Sequence, residues 1–338
     1  MSTPLLSVCV PTYNRVDLLE RNLRSVIAQP ELADKLEIVV SDNSDNDASE
    51  QLVKELLARW PGTWTYIRND PPLYMVENFN RSLKEGKGTF LMSLHDDDYL
   101  LPGSLEKALA YLEARQDRHV HLFGIDVVDS EERVLKRQTF RRRSYLEPKQ
   151  ALWKLISNSS FVRVPGLIMK RDAWEEFGFF RPAARNQCDL DLWLVAFAKY
   201  GVNCSPVDLA AYTVHTGSMT NLETFTAENV DNLLGLFRRI DPQLVGPERL
   251  AAGKALFFHK FIFAGIYRQL RWGHWKRAVK VAQLFDHEPI RALATPMRWR
   301  LPRLVLKSLL DLNQAFTPSL PSVLERTKHT HSGAVFKD

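Results

Sequence analysis

Three consecutive carboxylates, Asp96, Asp97 and Asp98, are the side chains in this sequence best suited to bind a metal ion. They directly follow residues 89–94, an apolar run with the length and composition of a buried strand. Adjacent like charges repel one another, so a carboxylate cluster at a buried strand end costs stability unless a cation occupies it. Asp96 and Asp98 can face the same way from an extended segment, and their hard oxygens suit Mg²⁺ or Mn²⁺. We therefore predict a divalent metal site here, in preference to a solvated acidic turn.

The elements that would position this cluster alternate between strand and helix in the first hundred residues. Strand-like segments cover residues 5–10, 36–40, 64–68 and 89–94, and apolar residues at helical spacing lie between them. This alternation predicts an α/β fold with a mostly parallel sheet flanked by helices on both faces. Asn14 is the predicted N-cap of the first helix.

Polar residues follow each of these strands, which places them at one edge of the predicted sheet. Right-handed crossovers bring the carboxyl ends of parallel strands together, and ligands of such sheets bind at that edge. Four separate loops there have the residue types that a nucleotide site needs. They contribute Pro11, Thr12, Tyr13, Asn14, Arg15, Asp42, Arg68, Asn69 and the three acids Asp96, Asp97 and Asp98.

The remaining chain divides into an α/β part and a helical part. Three further strands and one long helix are predicted, at residues 119–128, 166–170, 208–214 and 189–200. Beyond about residue 221 only helical patterns occur. We therefore predict an α/β catalytic domain over residues 1–222 and a C-terminal helical, basic region over residues 223–338.

Composition and motif patterns exclude several classes of protein. Hydrophobic residues make up 45% and charged residues 25%, which is typical of globular rather than disordered chains. The three cysteines are scattered, which excludes a disulfide framework and favours a reducing cytoplasm. No apolar run approaches the ~20 residues that span a bilayer, and signal-peptide features are lacking, so we expect neither a membrane span nor export. The P-loop motif and the G-x-G-x-x-G motif are absent, which argues against a P-loop nucleotide site and a dinucleotide-binding fold of the NAD type. An EF-hand calcium loop starting at Asp42 is also excluded, because Asp47 and Val53 stand where such a loop requires Gly and Glu.

Several motifs taken together resemble the family 2 glycosyltransferases of the GT-A fold. The matching segments, in the family's order, are SVCVPTYNR, EIVVSDNS, YIRND, NFNRSLKEGKGTFLMSLHDDDYL, DLDLWLVAFAKYG and VHTGSM. They fall within roughly the first two thirds of the chain, and the ordered set is far more specific than any one motif. The resemblance implies a Rossmann-like GT-A domain, a nucleotide-diphospho-sugar donor and dependence on Mn²⁺ or Mg²⁺.

The resemblance also implies roles for individual residues. The nucleotide would be bound by Pro11, Thr12, Tyr13, Arg15, Asp42, Arg68, Asp96 and Asp97, and the metal by Asp96, Asp98 and His215. The family's catalytic base matches Asp189, with Asp191 as the second candidate, because Cys188 stands where Glu is common. The alternative for both aspartates is helix capping, which Asp favours, and the alternative for His215 is a structural role.

The implied reaction is the inverting transfer of a sugar to a hydroxyl of a glycan or lipid-linked glycan, in surface polysaccharide biosynthesis. A divalent ion would stabilise the leaving diphosphate, and a carboxylate would accept the proton of the acceptor hydroxyl. Nucleotidyl transfer on a related fold is a rival, but its Gly-rich, Arg-containing opening loop is missing. The rival outside enzymes is a non-catalytic sugar-nucleotide-binding or scaffolding module, against which the intact acids Asp42, Asp96, Asp98 and Asp189 argue.

Basic and aromatic residues cluster in the C-terminal region. From Arg268 to Lys307 the chain carries ten Lys or Arg against two acids, Asp286 and Glu288, with Trp and Leu interleaved. This composition suits an anionic membrane surface, and a helical subdomain with a solvated basic face is the alternative. No nucleic-acid-binding motif accompanies it. We therefore expect a cytoplasmic protein that can associate peripherally with the inner face of the cytoplasmic membrane.

Overall fold

A ten-stranded mixed sheet is the centre of the structure, a computed structural model that describes residues 3–214 and 224–316. The chain forms two compact units, residues 1–294 and 295–338, and the sheet lies in the first. Its strand order is β3-β2-β1-β4-β9-β6-β10-β5, with β7 paired to β6 and β8 to β10. The strands are β1 Leu6–Thr12, β2 Leu36–Asp42, β3 Thr63–Arg68, β4 Phe90–Ser93, β5 Tyr99–Leu100, β6 Val120–Asp129, β7 Val134–Gln138, β8 Ser144–Leu146, β9 Leu167–Lys170 and β10 Val202–Val214.

The first four long strands, β1 to β4, form the parallel half of the sheet. β2 and β4 flank β1 in parallel, and β3 continues in parallel beyond β2. Every residue of β1, β2 and β4 is buried, which explains why these strands are mostly apolar. At the carboxyl edge Thr12 lies opposite Asp42, and Asp42 lies opposite Arg68. The predicted α/β fold is confirmed, and the strand ends meet at one edge as expected.

The second half of the sheet has mixed directions. β9 runs antiparallel between β4 and β6, and β10 runs parallel to β6. The two-residue strand β5 follows the acidic turn and pairs antiparallel with Ala210 and Ala211 of β10. This pairing fixes the acidic turn against β10, a strand more than a hundred residues later in the chain.

Helices cover both faces of the sheet and make up the C-terminal region. They are α1 Val16–Val26, α2 Ala48–Leu57, α3 Met75–Glu85, α4 Ser104–Glu113, α5 Pro148–Ser157, α6 Arg171–Phe177, α7 Cys188–Tyr200, α8 Ala227–Phe237, α9 Pro242–Val245, α10 Pro247–Arg271, α11 Trp275–Gln283, α12 Glu288–Arg291 and α13 Met297–Phe316. Short 3₁₀ helices occur at Pro30–Lys35, Val164–Gly166 and Pro182–Gln187.

The start of α1 differs from the prediction that Asn14 caps it. Arg15 is the N-cap residue, and its side chain makes no capping hydrogen bond. Asn14 instead adopts a left-handed conformation with φ of 52°. Its side-chain oxygen accepts hydrogen bonds from the backbone of Asp45 and the side chain of Asn46. Asn14 therefore ties the loop after β1 to the loop after β2, an interaction that helix-cap patterns do not reveal.

The C-terminal helices α8 to α12 belong to the same compact unit as the sheet. The long helix α10 packs on α5 and α11. Gly253 permits the close contact with α5, because a Cβ there would lie 2.8 Å from Ile156. The predicted division at residue 222 falls among residues 215–223, outside the described chain, and stays a prediction.

Helix α10 corrects the expectation that no segment is long and apolar enough to cross a bilayer. Its 25 residues meet that criterion by length and hydropathy, and among the described helices it is the one that does. Half of its most apolar stretch is buried inside the protein. Burial of this kind is also typical of a core helix in a globular domain. Phe257 and Phe258, for example, pack on Phe237 of α8.

Helix α13 lies in the second unit and exposes an apolar stripe. Met297, Leu301, Leu304 and Val305 are all exposed, Met297 to 83%. Their spacing of four, three and one residues places them on one helical face. Three arginines, Arg298, Arg300 and Arg303, lie in the same turns.

Candidate active site

The acidic turn after β4 is held in shape by two residues of α1. The side-chain amide of Asn22 donates to the carbonyls of His95, at 2.8 Å, and Asp98, at 3.0 Å. The guanidinium of Arg21 donates to the carbonyl of Asp97, at 2.5 Å, and lies 4.6 Å from the centre of the Tyr99 ring. Sequence analysis did not identify Asn22 or Arg21, because their spacing in α1 is that of ordinary polar helix residues.

Asp96 turns towards the loop after β1. Its carboxylate accepts hydrogen bonds from the Thr12 hydroxyl, at 2.8 Å, and from Arg15, at 3.2 Å. Arg15 also bridges to Asp97 at 3.2 Å. Burial, together with the charge of Asp97, raises the pKa of Asp96 to about 6, and the charge of Arg15 opposes that rise. The structure thus brings four of the predicted nucleotide-binding residues into direct contact.

Asp98 is fully buried and is held by β10. One carboxylate oxygen accepts the backbone N–H of Thr213 at 2.9 Å, and Oδ2 has no partner among the described residues. Burial raises the pKa of Asp98 well above its ordinary value, and the charge of Asp97 raises it further. An unpaired carboxylate in such a place gains stability from a bound cation.

His95 completes a cluster that fits a divalent metal ion. Ligand atoms of His95, Asp97 and Asp98 all lie within 4.8 Å of one another. His95 stacks on Phe79 with 4.6 Å between ring centres, and its Nε2 is buried with no partner in the described chain. Burial lowers the pKa of His95, which favours the neutral imidazole that can ligate a metal. One imidazole nitrogen and two carboxylates are ligands that suit a divalent metal ion.

This cluster differs from the predicted metal ligands Asp96, Asp98 and His215. Asp98 belongs to it, but Asp97 and His95 share it in place of Asp96, whose two oxygens face Thr12 and Arg15. His215 lies outside the described residues. The sequence already carried a hint in the spacing of His95 and Asp97, which is the same i, i+2 spacing that singled out Asp96 and Asp98.

The loops after β2 and β3 form a rigid amide network beside the acidic turn. Asp42 is fully buried and accepts hydrogen bonds from the Tyr66 hydroxyl and from the backbone N–H of Ser44, both at 2.7 Å. Asn69 donates to Asn43, at 2.9 Å, and to Asn78, at 3.0 Å. Asn78 in turn donates to the carbonyl of Thr12 at 3.2 Å. This network fixes the backbone at the edge where β1, β2 and β3 end.

The other predicted nucleotide-binding residues are placed differently. Pro11 is buried within β1, whereas Tyr13 is 56% exposed at the edge of the sheet. Arg68 forms an ion pair with Asp47 at 2.6 Å. Asp42 and Arg68 are therefore both engaged by protein groups, while Tyr13 is available for stacking.

The two candidate bases in the first turn of α7 have opposite surroundings. Asp191 is buried and is clamped by Arg181, through two hydrogen bonds of 2.9 Å, and by Arg239. Asp189 accepts a local hydrogen bond from the backbone N–H of Leu190 at 2.6 Å. Burial raises the pKa of Asp189 to about 6, and the charge of Arg163 opposes this. A carboxylate with a pKa near neutrality is suited to accept a proton, whereas one held by two arginines is suited to fix structure.

Comparison with protein families matches residues 7–178 to the family described as Glycosyl transferase family 2. The match reaches from β1 to the end of α6 and spans slightly more than half of the chain. The chain belongs to glycosyl transferase family 2. The predicted family and the predicted enzyme class, a glycosyltransferase, are thereby confirmed.

Characterised and uncharacterised proteins are similar to this glycosyltransferase. It is 28% identical to the uncharacterized protein MT1568 of Mycobacterium tuberculosis over 236 residues, which are 67% of this chain and 72% of that protein. It is 26% identical over 192 residues to the abequosyltransferase RfbV of Salmonella typhimurium, with 52% of this chain and 55% of that one covered. It is 31% identical over 128 residues to a GalNAc(5)-diNAcBac-PP-undecaprenol beta-1,3-glucosyltransferase of Campylobacter jejuni, with 38% and 40% covered. The chain thus spans about half or less of the length of these two named enzymes.

Solved structures share the fold. S. aureus TarS 1-349 superimposes with a TM-score of 0.61 at 17% identity, covering 91% of this chain and 88% of that one. The mannosyltransferase PcManGT from Pyrobaculum calidifontis, in complex with GDP-Man and Mn²⁺, gives a TM-score of 0.52 at 16% identity, with 94% and 88% covered. At such low sequence identities these structures establish the fold of this family 2 enzyme, but not its substrates or the roles of its residues.

Proposed function

We propose that this family 2 enzyme is an inverting, metal-dependent glycosyltransferase that moves a sugar from a nucleotide diphosphate to a hydroxyl of a glycan or lipid-linked glycan. The observation that carries the proposal is the pairing of a metal-compatible cluster, His95, Asp97 and Asp98, with a carboxylate of raised pKa, Asp189. A role in surface polysaccharide biosynthesis is supported by the names of the Salmonella and Campylobacter relatives.

The edge of the sheet supplies the donor site in this proposal. The Tyr13 ring offers a stacking surface for a base, and Thr12, Arg15 and Asp96 offer polar groups for the ribose and phosphates. His95, Asp97 and Asp98 would hold the metal ion. When bound, a divalent ion supplies Lewis-acid stabilisation of the charge that develops on the leaving diphosphate.

Asp189 accepts the proton of the acceptor hydroxyl in the proposed reaction. With a pKa of about 6 its carboxylate is mostly ionised at neutral pH, yet it is basic enough to take the proton as the new bond forms. The hydroxyl oxygen bonds to the anomeric carbon while the bond to the diphosphate oxygen breaks on the opposite face. This single displacement inverts the anomeric configuration, as in an inverting glycosidase with the acceptor in place of water.

Donor hydrolysis across a panel of sugar nucleotides tests the proposal. With Mn²⁺ present we expect hydrolysis of one or a few donors, loss of hydrolysis on adding EDTA, and an inverted product by proton NMR. Asp98→Asn and Asp189→Asn should both be inactive, and Arg24→Gln, on the exposed side of α1, should remain active. Specific donor binding without turnover in any combination of donor and metal would favour the non-catalytic binding module.

Helix α13 supports a further part of the proposal, peripheral attachment to an anionic membrane surface. Its exposed stripe of Met297, Leu301, Leu304 and Val305 provides apolar surface, and arginines in the same turns provide positive charge. Amphipathic helices of this composition lie in the interface of anionic bilayers. A lipid-linked acceptor would be reached most readily by an enzyme held at that surface.

A further inference from the structure

Asp189, the proposed base, lies between two residues that bond to a helix of the C-terminal region. Gln187, two residues before it, is the N-cap residue of α7, and its side-chain amide donates to the side-chain oxygen of Asn229 at 2.8 Å. Asp191, two residues after it, forms an ion pair with Arg239. Asn229 belongs to the first turn of α8, and Arg239 lies two residues beyond the end of that helix. Helix α8 is therefore bonded to the start of α7 on both sides of Asp189.

These two contacts involve buried polar groups of α7. Gln187 and Asp191 are both buried, so an amide donor or a carboxylate left without a partner at either position would cost stability. Arg181, which precedes the 3₁₀ helix Pro182–Gln187, binds the same carboxylate as Arg239, through two hydrogen bonds of 2.9 Å. Charge-assisted hydrogen bonds of this kind are the stronger class, so they define where the first turn of α7 lies.

The first turn of α7 depends on these contacts because local structure does little to hold it. The side chain of Gln187 makes no capping hydrogen bond and is committed to α8 instead. A cavity of about 330 Å³ lies between the 3₁₀ helix and α8, and Arg181 and Gln187 form part of its wall. Side-chain packing is therefore interrupted here, and the polar contacts bridge the gap. The body of α7, by contrast, packs on α5 and α6.

We propose that Arg239 and Asn229 are positioning residues for the catalytic base, so that the C-terminal helical region completes the active site. This inference rests on the proposed function, in which Asp189 accepts the proton of the acceptor hydroxyl. A general base must lie within about 2.6–3.2 Å of the group that gives up the proton, and a displacement of about 1 Å can lower a rate about 100-fold. Both residues act through α7, so their replacement should leave the binding of the donor and of the metal ion unchanged.

Kinetics of donor hydrolysis by the full chain, with Mn²⁺, test the inference. We expect Arg239→Gln and Asn229→Ala to lower kcat by about 10- to 100-fold, with the KM for the donor and the affinity for Mn²⁺ within about twofold of wild type. Arg239→Lys keeps the charge and Asn229→Asp keeps an acceptor for Gln187, so each should recover most of the lost kcat. The matched control is Arg238→Gln, which removes the adjacent exposed cation and should retain the wild-type kcat.

Hydrogen–deuterium exchange at the start of α7 gives a second measurement, which does not depend on activity. The backbone amides of residues 190–194 should exchange faster in Arg239→Gln and Asn229→Ala than in wild type, and at the wild-type rate in Arg238→Gln. Circular dichroism at the assay temperature shows whether each variant is folded, and if Arg239→Gln is not, Asn229→Ala decides the outcome. An unchanged kcat in the folded variants would overturn the inference, as would an equal loss of kcat in Arg238→Gln. Absence of donor hydrolysis in wild type would remove the proposed function, whereas the exchange rates would still decide whether α8 holds the start of α7.

Discussion

Replacing Asp189 with Asn should inactivate the enzyme and stabilise the protein at the same time. In the folded protein burial raises the pKa of Asp189 from 3.8 to about 6. The folded state therefore binds this proton more tightly than the unfolded chain does, and stability falls as the pH rises from about 4 to above 6. At pH 7 the ionised carboxylate costs stability, and a neutral side chain of the same shape removes that cost.

The magnitude follows from the shift. A difference of about 2 pKa units corresponds to about 3 kcal/mol at pH 7. Asn lacks the favourable interaction of an anion with the start of α7, which contributes about 0.3–1 kcal/mol. The free energy of unfolding at pH 7 should therefore increase by about 2 kcal/mol in the variant. Catalysis should fall by about 10²- to 10⁴-fold, because the acceptor hydroxyl loses its general base. In wild type the transfer rate should rise with pH to a plateau, with a midpoint near 6.

Asp191→Asn is the matched comparison, two residues along the same helical turn. It should destabilise the protein, because Arg181 and Arg239 lose a buried partner. Guanidinium chloride unfolding at pH 5 and pH 7 measures the stabilities, and product formation from the accepted donor measures transfer. Normal transfer by Asp189→Asn, or a loss of stability equal to that of Asp191→Asn, would refute the assignment of Asp189 as the base.

Three other predictions concern the metal, the loop network and α13. Asp98→Asn should weaken Mn²⁺ binding by about 100-fold or more in calorimetry. Asp96→Asn should weaken nucleotide binding more than Mn²⁺ binding, because its carboxylate faces Thr12 and Arg15. A greater loss of Mn²⁺ affinity in Asp96→Asn than in Asp98→Asn would favour Asp96 as the metal ligand. Asn69→Ala should destabilise the protein by about 1–3 kcal/mol in denaturant unfolding, because the buried side-chain oxygen of Asn78 loses the donor that Asn69 supplies. An unchanged unfolding midpoint would contradict that role. The wild-type protein should sediment with anionic vesicles, and the fraction that sediments should fall as the salt concentration rises. The double variant Leu301→Glu and Leu304→Glu should not sediment, because it places charge in the exposed apolar stripe of α13. Equal binding to neutral vesicles would show that the arginines do not contribute.

The positions of the first four long strands along the chain, and the polar residues at their ends, were predictable from the sequence. β1, β2 and β4 are mostly apolar segments, β3 alternates Trp64, Tyr66 and polar residues, and each is bounded by polar or turn residues. Such local patterns predict strands, and all four strands join the central sheet. The chirality of crossovers then forced Thr12, Asp42, Arg68 and the acidic turn to one edge. Their meeting there required no knowledge of side-chain contacts.

The direction of each of the three adjacent carboxylates, and the partners that each contacts, are set by tertiary contacts. The i, i+2 spacing in the sequence grouped Asp96 with Asp98, whereas in the structure Asp96 faces Thr12 and Arg15 and Asp98 lies with Asp97 and His95. Their directions are set by Asn22 on α1 and by the Thr213 backbone on β10, which are 76 and 115 residues away from Asp98. The position of β10 in turn depends on β9 entering the sheet antiparallel between β4 and β6.

The difference between Asp189 and Asp191 also arises from tertiary contacts. The sequence placed both candidates for the base in the first turn of one helix. Their different properties come from Arg181 and Arg239 around Asp191 and from the less completely paired surroundings of Asp189. The energy of a buried charge is fixed by which groups lie within a few ångströms of it, and distant segments of the chain supply those groups only after folding. Sequence alone therefore determined which residue types reach the site, and the tertiary structure decided which charges are neutralised and which remain available to react.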